Sequence, residues 1–379
     1  MAIAHRWVSL GIGLALLVEV VSGVVLLFRP DLFRWLNPHL FAATPGPAVL
    51  TQGQAFAAAA VAHPGFVPDR LNVVDGVYQL SSLADPRHQV YLDPGSGRVL
   101  GVGDQFDGFL GFLRNLHHCA LTCRGYPGYS PTLAAEVPWA GVQLGGLVLG
   151  TLALLFLAVN LSGVLAWWPG ARRWARGLVV HWRRGTYRLS RDLHDVLGLV
   201  AIPFLLMWSV TAAGFEFTWV QRTWYAVTPG PAEPAETFGS TPGKGPDLGP
   251  DRALAAARPL AGDRVWMATR LPTADPAGFY TVGFVEHGYH PLRYAGTSSI
   301  AQTRVAVDRR TGRAELLRGG DRPWAQRVWM DWTLGLHLGL AVDWPVRLVW
   351  GLFGLAPVLL AWTGCWTWLA RRRRLRRSG

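Results

Sequence analysis

The chain is poor in charged residues and in cysteine. Only 16% of its 379 residues are charged, whereas 50% are hydrophobic, a balance too apolar for an ordinary soluble protein of this length. Its three cysteines cannot supply the four thiolates of an iron–sulfur cluster. It contains no P-loop, no G-x-G-x-x-G after a predicted strand, no G-x-S-x-G and no H-E-x-x-H motif. A P-loop or dinucleotide-binding enzyme, a serine hydrolase of the nucleophile-elbow type and a zinc protease of that motif class are therefore excluded.

Four long hydrophobic stretches are present instead, over residues 7–28, 139–168, 196–220 and 346–369. A helix needs about 20 mostly apolar residues to cross the roughly 30 Å hydrocarbon core of a bilayer. The sequence therefore predicts four transmembrane helices. The first stretch resembles a signal peptide, but it is long and lacks an A-x-A cleavage site, so we expect it to remain as an anchor.

Arginine clusters explain the net charge of +12 and predict the orientation. Seven arginines lie between the second and third spans and six follow the fourth. Such clusters hold loops in the cytoplasm beside anionic lipid headgroups. We expect a bacterial inner-membrane protein with both termini cytoplasmic and two periplasmic segments. Nucleic-acid binding is not expected, because there is no separate basic domain to carry it.

These features divide the chain into spans and segments outside the bilayer. The predicted membrane parts are residues 1–30, 137–169, 192–225 and 337–370. The predicted periplasmic domains are residues 31–136 and 226–336, and the cytoplasmic parts are the Arg-rich loop 170–191 and the basic tail 371–379.

One unit occurs twice in the periplasmic segments. Residues 90–99 and 305–314 each read as a strand, an Asp-x-x-Ser/Thr-Gly turn and a second strand. Aspartate can bond the turn backbone and glycine can adopt positive φ, so the motif indicates a hairpin. A helix is predicted before each hairpin, over residues 52–63 and 250–258. The predicted fold is a membrane four-helix bundle with two small α+β domains, arranged as a tandem repeat about a pseudo-twofold axis.

The spans repeat as well. His5 precedes Ser22 by 17 residues, and His194 precedes Thr211 by the same interval. Spans two and four carry the matching dipeptides Ser162-Gly163 and Thr363-Gly364 near their ends.

The repeat predicts two pairs of opposed histidines. It would bring His5 towards His194 at the cytoplasmic side, and His337 towards His117 or His118 at the outer side. Two imidazoles on opposite faces of one iron are what a low-spin, bis-histidine haem requires, so two b-type haems are expected. A single histidine at a span end is more often an interfacial polar residue. His181, in the Arg-rich loop, is a rival for the inner position.

These residues together resemble the PepSY-associated transmembrane helix family, also described as iron-regulated membrane proteins. The matching segments are His5-Arg6-Trp7, Leu92-Asp93-Pro94-Gly95-Ser96-Gly97-Arg98, Asp192-Leu193-His194-Asp195-Val196-Leu197-Gly198, Leu336-His337-Leu338-Gly339 and Thr363-Gly364. Members characterised as siderophore reductases carry haems on bundle histidines and reduce ferric siderophores in the periplasm. The resemblance implies that activity for this chain.

One segment departs from the family pattern, because residues 119–138 intervene before the second span. His117 is 45 residues before Ser162, whereas His337 is 26 before Thr363. The choice between His117 and His118 as the outer ligand therefore stays open. The insert also contains Cys119 and Cys123, which can form a disulfide if the backbone there departs from a regular helix.

Two other functions compete with the reductase. The chain is alternatively a non-enzymatic PepSY protein that binds or regulates a partner, or a haem subunit of another periplasmic redox enzyme. The expected acceptor is a ferric siderophore or another ferric chelate. The expected donor is a quinol or a separate protein, since the cytoplasmic parts are too short for a flavin domain. Glu19, a carboxylate inside the first span, is either a structural residue or part of a proton path.

Overall fold

The computed structural model describes residues 2–170, 172–229, 238–241, 243, 245–285, 302–317, 325, 328–329, 333–339 and 344–377. Parts of the predicted second periplasmic domain, residues 230–237 and 286–301 among them, lie outside this set.

Helices account for much of the described chain. They are α1 (Ala2–Leu27), α2 (Arg29–Leu36), α3 (Gln52–Ala62), α4 (Gly108–Cys119), α5 (Leu144–Trp167), α6 (Thr186–Glu216), α7 (Thr218–Val227), α8 (Pro250–Ala261), α9 (Thr333–His337), α10 (Trp344–Gly354) and α11 (Ala356–Arg377). Two short 3-10 helices cover Pro38–Phe41 and Trp174–Leu178.

The strands are short and antiparallel. They are β1 (Arg70–Val74), β2 (Val77–Ser81), β3 (Gln89–Leu92), β4 (Val99–Gly103), β5 (Glu136–Val137), β6 (Val142–Gln143), β7 (Val265–Arg270), β8 (Phe279–Val285), β9 (Gln302–Asp308) and β10 (Ala314–Leu316).

Four helical segments are long and apolar enough to cross a membrane, as predicted. They are Ala2–Leu27, Leu144–Trp167, Thr186–Glu216 and Arg347–Arg373. The fourth comprises the end of α10 and most of α11, which are separated at Leu355. The third begins earlier than the apolar stretch in the sequence, because the polar residues 186–195 continue the helix.

The chain divides into two compact units. The first contains Met1–Leu27, Gly108–Thr223 and Trp344–Gly379, and the second contains Phe28–Asp107 and Trp224–Asp343. Within the first unit, α5 packs against both α1 and α6, and α6 also packs against α11. Phe156, Ala201, Leu205 and Ala356 form the buried core of these contacts. Asn160 adds a polar link, since its Nδ2 donates to the carbonyl of Leu205 at 3.2 Å.

The second unit contains one eight-stranded sheet with the order β10-β9-β8-β7-β1-β2-β3-β4. The two halves of the sheet have the same strand order outward from its centre: β1, β2, β3 and β4 on one side, and β7, β8, β9 and β10 on the other. The sequence predicts two separate domains, whereas the structure joins their strands by pairing β1 with β7. Without that pairing, each set of four strands would leave an additional open edge.

Two helices cover one face of this sheet. α3 packs against β2 and β3, and α8 packs against β8 and β9. Trp266 contacts both hydrophobic clusters and therefore joins the two halves of the core. Both helices begin at the predicted residues, 52 for α3 and 250 for α8. Helix α8 continues to Ala261, three residues beyond its predicted end.

The two Asp-x-x-Ser/Thr-Gly motifs form matching turns, which confirms the predicted hairpins. The amide of Gly97 donates to the carbonyl of Asp93 at 2.8 Å, and Gly312 makes the equivalent bond to Asp308 at 3.2 Å. Both glycines have positive φ, 76° and 75°, a conformation that residues with a side chain rarely adopt. The repeated sequence therefore corresponds to a repeated local structure.

The motif aspartates also have a role that the sequence did not reveal. Asp93 accepts hydrogen bonds from the amide of Thr44 and from the hydroxyl of Ser96, and Asp308 accepts one from the amide of Thr241. Burial by itself would raise the pKa of both carboxyl groups, but these hydrogen bonds hold the pKa of each well below its ordinary range. Each aspartate thus links its hairpin, by hydrogen bonds, to a segment that is far away in the sequence.

A third aspartate joins the two halves of the sheet domain through their helices. Asp251, in the first turn of α8, accepts hydrogen bonds from the Thr51 hydroxyl and from the amides of Gln52 and Gly53. These amides lie at the start of α3, where the first turn of a helix has no internal acceptors. The carboxylate therefore caps a helix from the opposite half of the repeat.

We expect Asp93→Asn or Asp308→Asn to lower the free energy of unfolding by about 2 kcal/mol at neutral pH, because several hydrogen bonds to a buried charge are weakened. Each folded-state pKa lies below the unfolded value. The stabilisation is therefore complete above about pH 4 and is lost as the pH falls through the folded pKa. Thermal unfolding of the full chain in detergent, followed by tryptophan fluorescence at several pH values, measures the effect.

Asp263→Asn is the matched control, since the side chain of Asp263 is exposed. An Asp93 or Asp308 variant as stable as the control at pH 7 would contradict the assigned role.

Candidate functional site

Two histidines from different helices meet in the first unit. His5 lies in the first turns of α1 and His194 lies on α6. Their ring centres are 6.4 Å apart and their ring planes are inclined by 79°. The structure thus brings together the two residues that the sequence predicts as the inner pair.

Each of these rings is held by the same type of contact on a neighbouring helix. His5 Nδ1 lies 3.0 Å from the carbonyl oxygen of Val159 and 3.2 Å from Ser162 Oγ on α5. His194 Nδ1 lies 3.1 Å from the carbonyl oxygen of Leu360 on α11. It also lies 3.0 Å from Thr363 Oγ1. In both cases the carbonyl belongs to the residue three positions before the Ser or Thr.

A glycine follows each of these hydroxyl residues and faces the ring. A Cβ added at Gly163 would lie 3.1 Å from His5 Cε1, and one added at Gly364 would lie 3.4 Å from His194 Cε1. The Ser-Gly and Thr-Gly dipeptides therefore supply a hydrogen-bonding group and space for the imidazole at the same position. The sequence shows the dipeptides, but only the folded chain shows that they contact histidines.

His117 makes a third contact of this kind, with α1. Its Nδ1 lies 2.8 Å from the carbonyl oxygen of Glu19 and 3.3 Å from Ser22 Oγ. A Cβ added at Gly23 would lie 2.6 Å from His117 Cε1. The side chain of His118 is exposed. Of the two alternatives, His117 is the one whose ring packs against the Ser22-Gly23 dipeptide.

The Glu19 side chain distinguishes the His117 site from the other two. Its carboxylate oxygen Oε1 lies 2.9 Å from His117 Nδ1, in addition to the carbonyl contact. Burial by itself would lower the pKa of the His117 ring, but the Glu19 carboxylate raises it above its ordinary value. The carboxylate stabilises positive charge on the ring, whether a proton or a bound metal supplies it.

The insert after His117 fixes the end of α4. The helix ends at Cys119, and Ala120 and Leu121 adopt positive φ values of 47° and 64°. This departure from helical geometry allows the Cys119–Cys123 disulfide to form. The fully buried Asn115 binds the loop from within, because its Oδ1 accepts from the Cys123 amide and its Nδ2 donates to the Pro127 carbonyl. The insert is therefore bound to α4, the helix that carries His117.

The two remaining candidates have different surroundings. His337 is the last residue of α9, in the second unit, so its predicted pairing with His117 stays a prediction. His181 Nδ1 lies 2.8 Å from Asp192 Oδ2, and the His181 amide donates to the same oxygen at 3.0 Å. Asp192 also forms an ion pair with Arg188 at 2.9 Å. His181 thus anchors the loop to α6 and does not take part in the His5–His194 pair.

Comparison with known proteins gives the family of the chain. The family model for the PepSY-associated TM region matches residues 2–371. An uncharacterised protein of Pseudomonas aeruginosa, PA4219, is 27% identical over 289 residues. The match covers 69% of this chain and 64% of that relative, so the chain spans less than two thirds of the relative's length. Because the family model covers nearly the whole chain, the protein belongs to the PepSY-associated TM region family of membrane proteins.

Proposed function

We propose that this protein is a haem-containing reductase of the bacterial inner membrane, and that it passes electrons outward to a ferric siderophore or similar ferric chelate. The observation that carries the proposal is the His5–His194 pair. Two imidazoles from different helices lie with their ring centres 6.4 Å apart, and their Nδ1 atoms are hydrogen-bonded to carbonyl oxygens. The chelate is reduced in the periplasm, where the iron is released.

The separation of the two rings fits one iron between them. A metal–imidazole bond is about 2 Å long, and the ring nitrogen lies about 1 Å from the ring centre, so two opposed ligands place their ring centres about 6 Å apart. The observed separation is 6.4 Å. This agreement supports His5 and His194 as the two residues that would hold the haem iron.

The hydrogen bonds fit a pair of metal ligands as well. A carbonyl oxygen only accepts hydrogen bonds, so the Nδ1 atoms of His5 and His194 must carry the protons. Each neutral ring then keeps its lone pair on Nε2, the nitrogen available to a metal, and the carbonyl fixes its orientation. A bis-histidine haem bound there supplies one-electron transfer without an open coordination site.

A second haem is proposed at the outer side. His117 is one proposed ligand, and His337 is its predicted partner. His117 Nδ1 is oriented in the same way by the Glu19 carbonyl, and Gly23 leaves room for the ring. Two haems would divide the path across the membrane into shorter steps.

The proposed acceptor follows from the chemistry of iron. Hard oxygen ligands of a siderophore hold Fe³⁺ far more tightly than Fe²⁺, so one-electron reduction weakens the chelate and releases the metal. We expect a quinol or a separate protein as the donor. The segment between α5 and α6, residues 168–185, is itself too short to hold a flavin domain.

His5→Ala and His194→Ala should each remove the same haem, because a bis-histidine site needs both ligands. We expect about two b-type haems per chain in the wild type and about one in either variant. The measurement is haem per chain and the oxidised and dithionite-reduced absorption spectra of detergent-purified protein from haem-replete cells, followed by reduction of ferrioxamine.

His39→Ala, at an exposed histidine, is the control and should retain both haems. A wild type without haem would overturn the proposal and favour a non-enzymatic PepSY protein. A haem-loaded protein that reduces no ferric chelate would instead be the haem subunit of another redox enzyme.

Gly23→Ala should disturb the outer site, because the added methyl would lie 2.6 Å from His117 Cε1 and would displace the ring. We expect partial loss of the outer haem or an altered low-spin spectrum, with the inner haem retained. Gly11→Ala on the same helix is the matched control, since a Cβ there meets nothing within 4 Å among the described residues. Equal spectra for the two variants would count against His117 as a ligand.

Glu19→Gln should raise the reduction potential of the outer haem, because a carboxylate hydrogen-bonded to an axial histidine strengthens its donation to the metal. We expect a shift of about 60 mV, the one-electron equivalent of a tenfold change in the equilibrium constant. A spectroscopic redox titration measures it, with the inner haem of the same sample as internal control. A shift of both haems, or of neither, would show that Glu19 does not act on His117.

A further inference from the structure

A cavity of about 470 Å³ lies in the second unit, apart from the histidines discussed above. It opens between the end of α3 and the loop that joins β2 to β3. His63 and His88 are on its wall, together with Phe66 and Asp85. None of these residues belongs to the repeated turns or to the membrane-spanning helices.

The two histidine rings are close together, with centres 5.2 Å apart and planes inclined by 73°. The Nε2 atom of His88 is shielded from solvent and has no hydrogen-bond partner in the described part of the structure. A ring nitrogen buried without a partner is unfavourable, because water no longer solvates it and nothing replaces the water. Among the described residues no protein group satisfies this nitrogen, so a bound ligand can.

Phe66 does not supply that partner. Its ring centre lies 4.7 Å from that of His88, with the planes inclined by 42°, and a phenyl ring has neither an acceptor lone pair nor an N–H donor. The contact holds the imidazole in place and shields it. Asp85 lies on the same wall, and its Oδ1 accepts the His88 amide at 3.3 Å, which keeps a negative charge beside the cavity.

We propose that His63 and His88 bind a divalent transition-metal ion of the zinc and copper type, with water completing the coordination. Two imidazoles on one tetrahedral ion, with bonds of about 2 Å, place their ring centres about 5 Å apart, and the observed separation is 5.2 Å. Imidazole nitrogen is a ligand that these borderline ions prefer over Mg²⁺ or Ca²⁺. The nearby carboxylate favours a cation further.

The spacing distinguishes this pair from the His5–His194 pair. There the ring centres are 6.4 Å apart, which suits ligands on opposite sides of one iron. The shorter separation of His63 and His88 suits ligands on adjacent corners of a tetrahedral ion. The proposed metal site is independent of the reductase function, and the failure of one leaves the other intact.

Zinc binding to the full-length protein tests the proposal. The protein as purified in detergent, with a tag that contains no histidine, competes for Zn²⁺ with a chromophoric chelator at pH 7.5. We expect about one zinc ion per chain, and a loss of at least about tenfold in affinity in both His63→Ala and His88→Ala. His39→Ala, in the same unit and exposed, should bind zinc as the wild type does.

Thermal unfolding gives a second readout that separates binding from folding. Zinc should raise the unfolding temperature of the wild type and of His39→Ala, because it binds the folded state. The His63→Ala variant, which keeps the His88 ring, should unfold near the wild-type temperature without zinc and show no shift with it. A wild type that binds no zinc, or His63 and His88 variants that keep full affinity, would overturn the proposal.

Discussion

A hydrogen bond from a histidine ring to a main-chain carbonyl of the neighbouring helix is the contact on which the candidate site depends. It occurs at His5, His194 and His117, each time to the residue three positions before a Ser or Thr. Because a carbonyl only accepts, the bond selects the tautomer and directs the other ring nitrogen away from the helix. A glycine after the hydroxyl residue leaves space for the ring. One short sequence motif therefore determines the position, orientation and tautomer of an imidazole on another helix.

The sheet domain contains a different repeated interaction, a buried aspartate that accepts hydrogen bonds. A buried aspartate in each hairpin, Asp93 or Asp308, accepts hydrogen bonds from its own turn and from a segment about 50 to 70 residues earlier in the chain. Buried charge is costly unless such bonds satisfy it. The cost is offset in both halves in the same way. The pairing of β1 with β7 then merges the two halves into one sheet, so the repeat in sequence does not remain as two separate domains.

The three histidine sites differ where the repeat is broken. Of the three histidines, His117 is the one that contacts the Glu19 carboxylate in the described structure, and the disulfide-closed insert follows α4. If both proposed haems are bound, the outer one lies beside a negative charge that the inner pair lacks. A lower potential at that position suits an acceptor in which hard oxygen ligands stabilise Fe³⁺. The departure from symmetry thus lies at the position where the electron would leave the protein.

The sequence by itself determined the features that depend on local patterns. The length of the apolar stretches was sufficient to predict the four spans. The Asp-x-x-Ser/Thr-Gly motif was sufficient to predict the hairpins, because turn geometry depends on a few neighbouring residues. The histidine pairing of His5 with His194 followed from the repeat. The tertiary structure decided the contacts between residues far apart in the chain. Examples are Val159 and Leu360 as acceptors, Glu19 beside His117, Asp251 at the start of α3, and His63 beside His88. No local pattern encodes these contacts, since each arises from the packing of elements that are 25 to 200 residues apart.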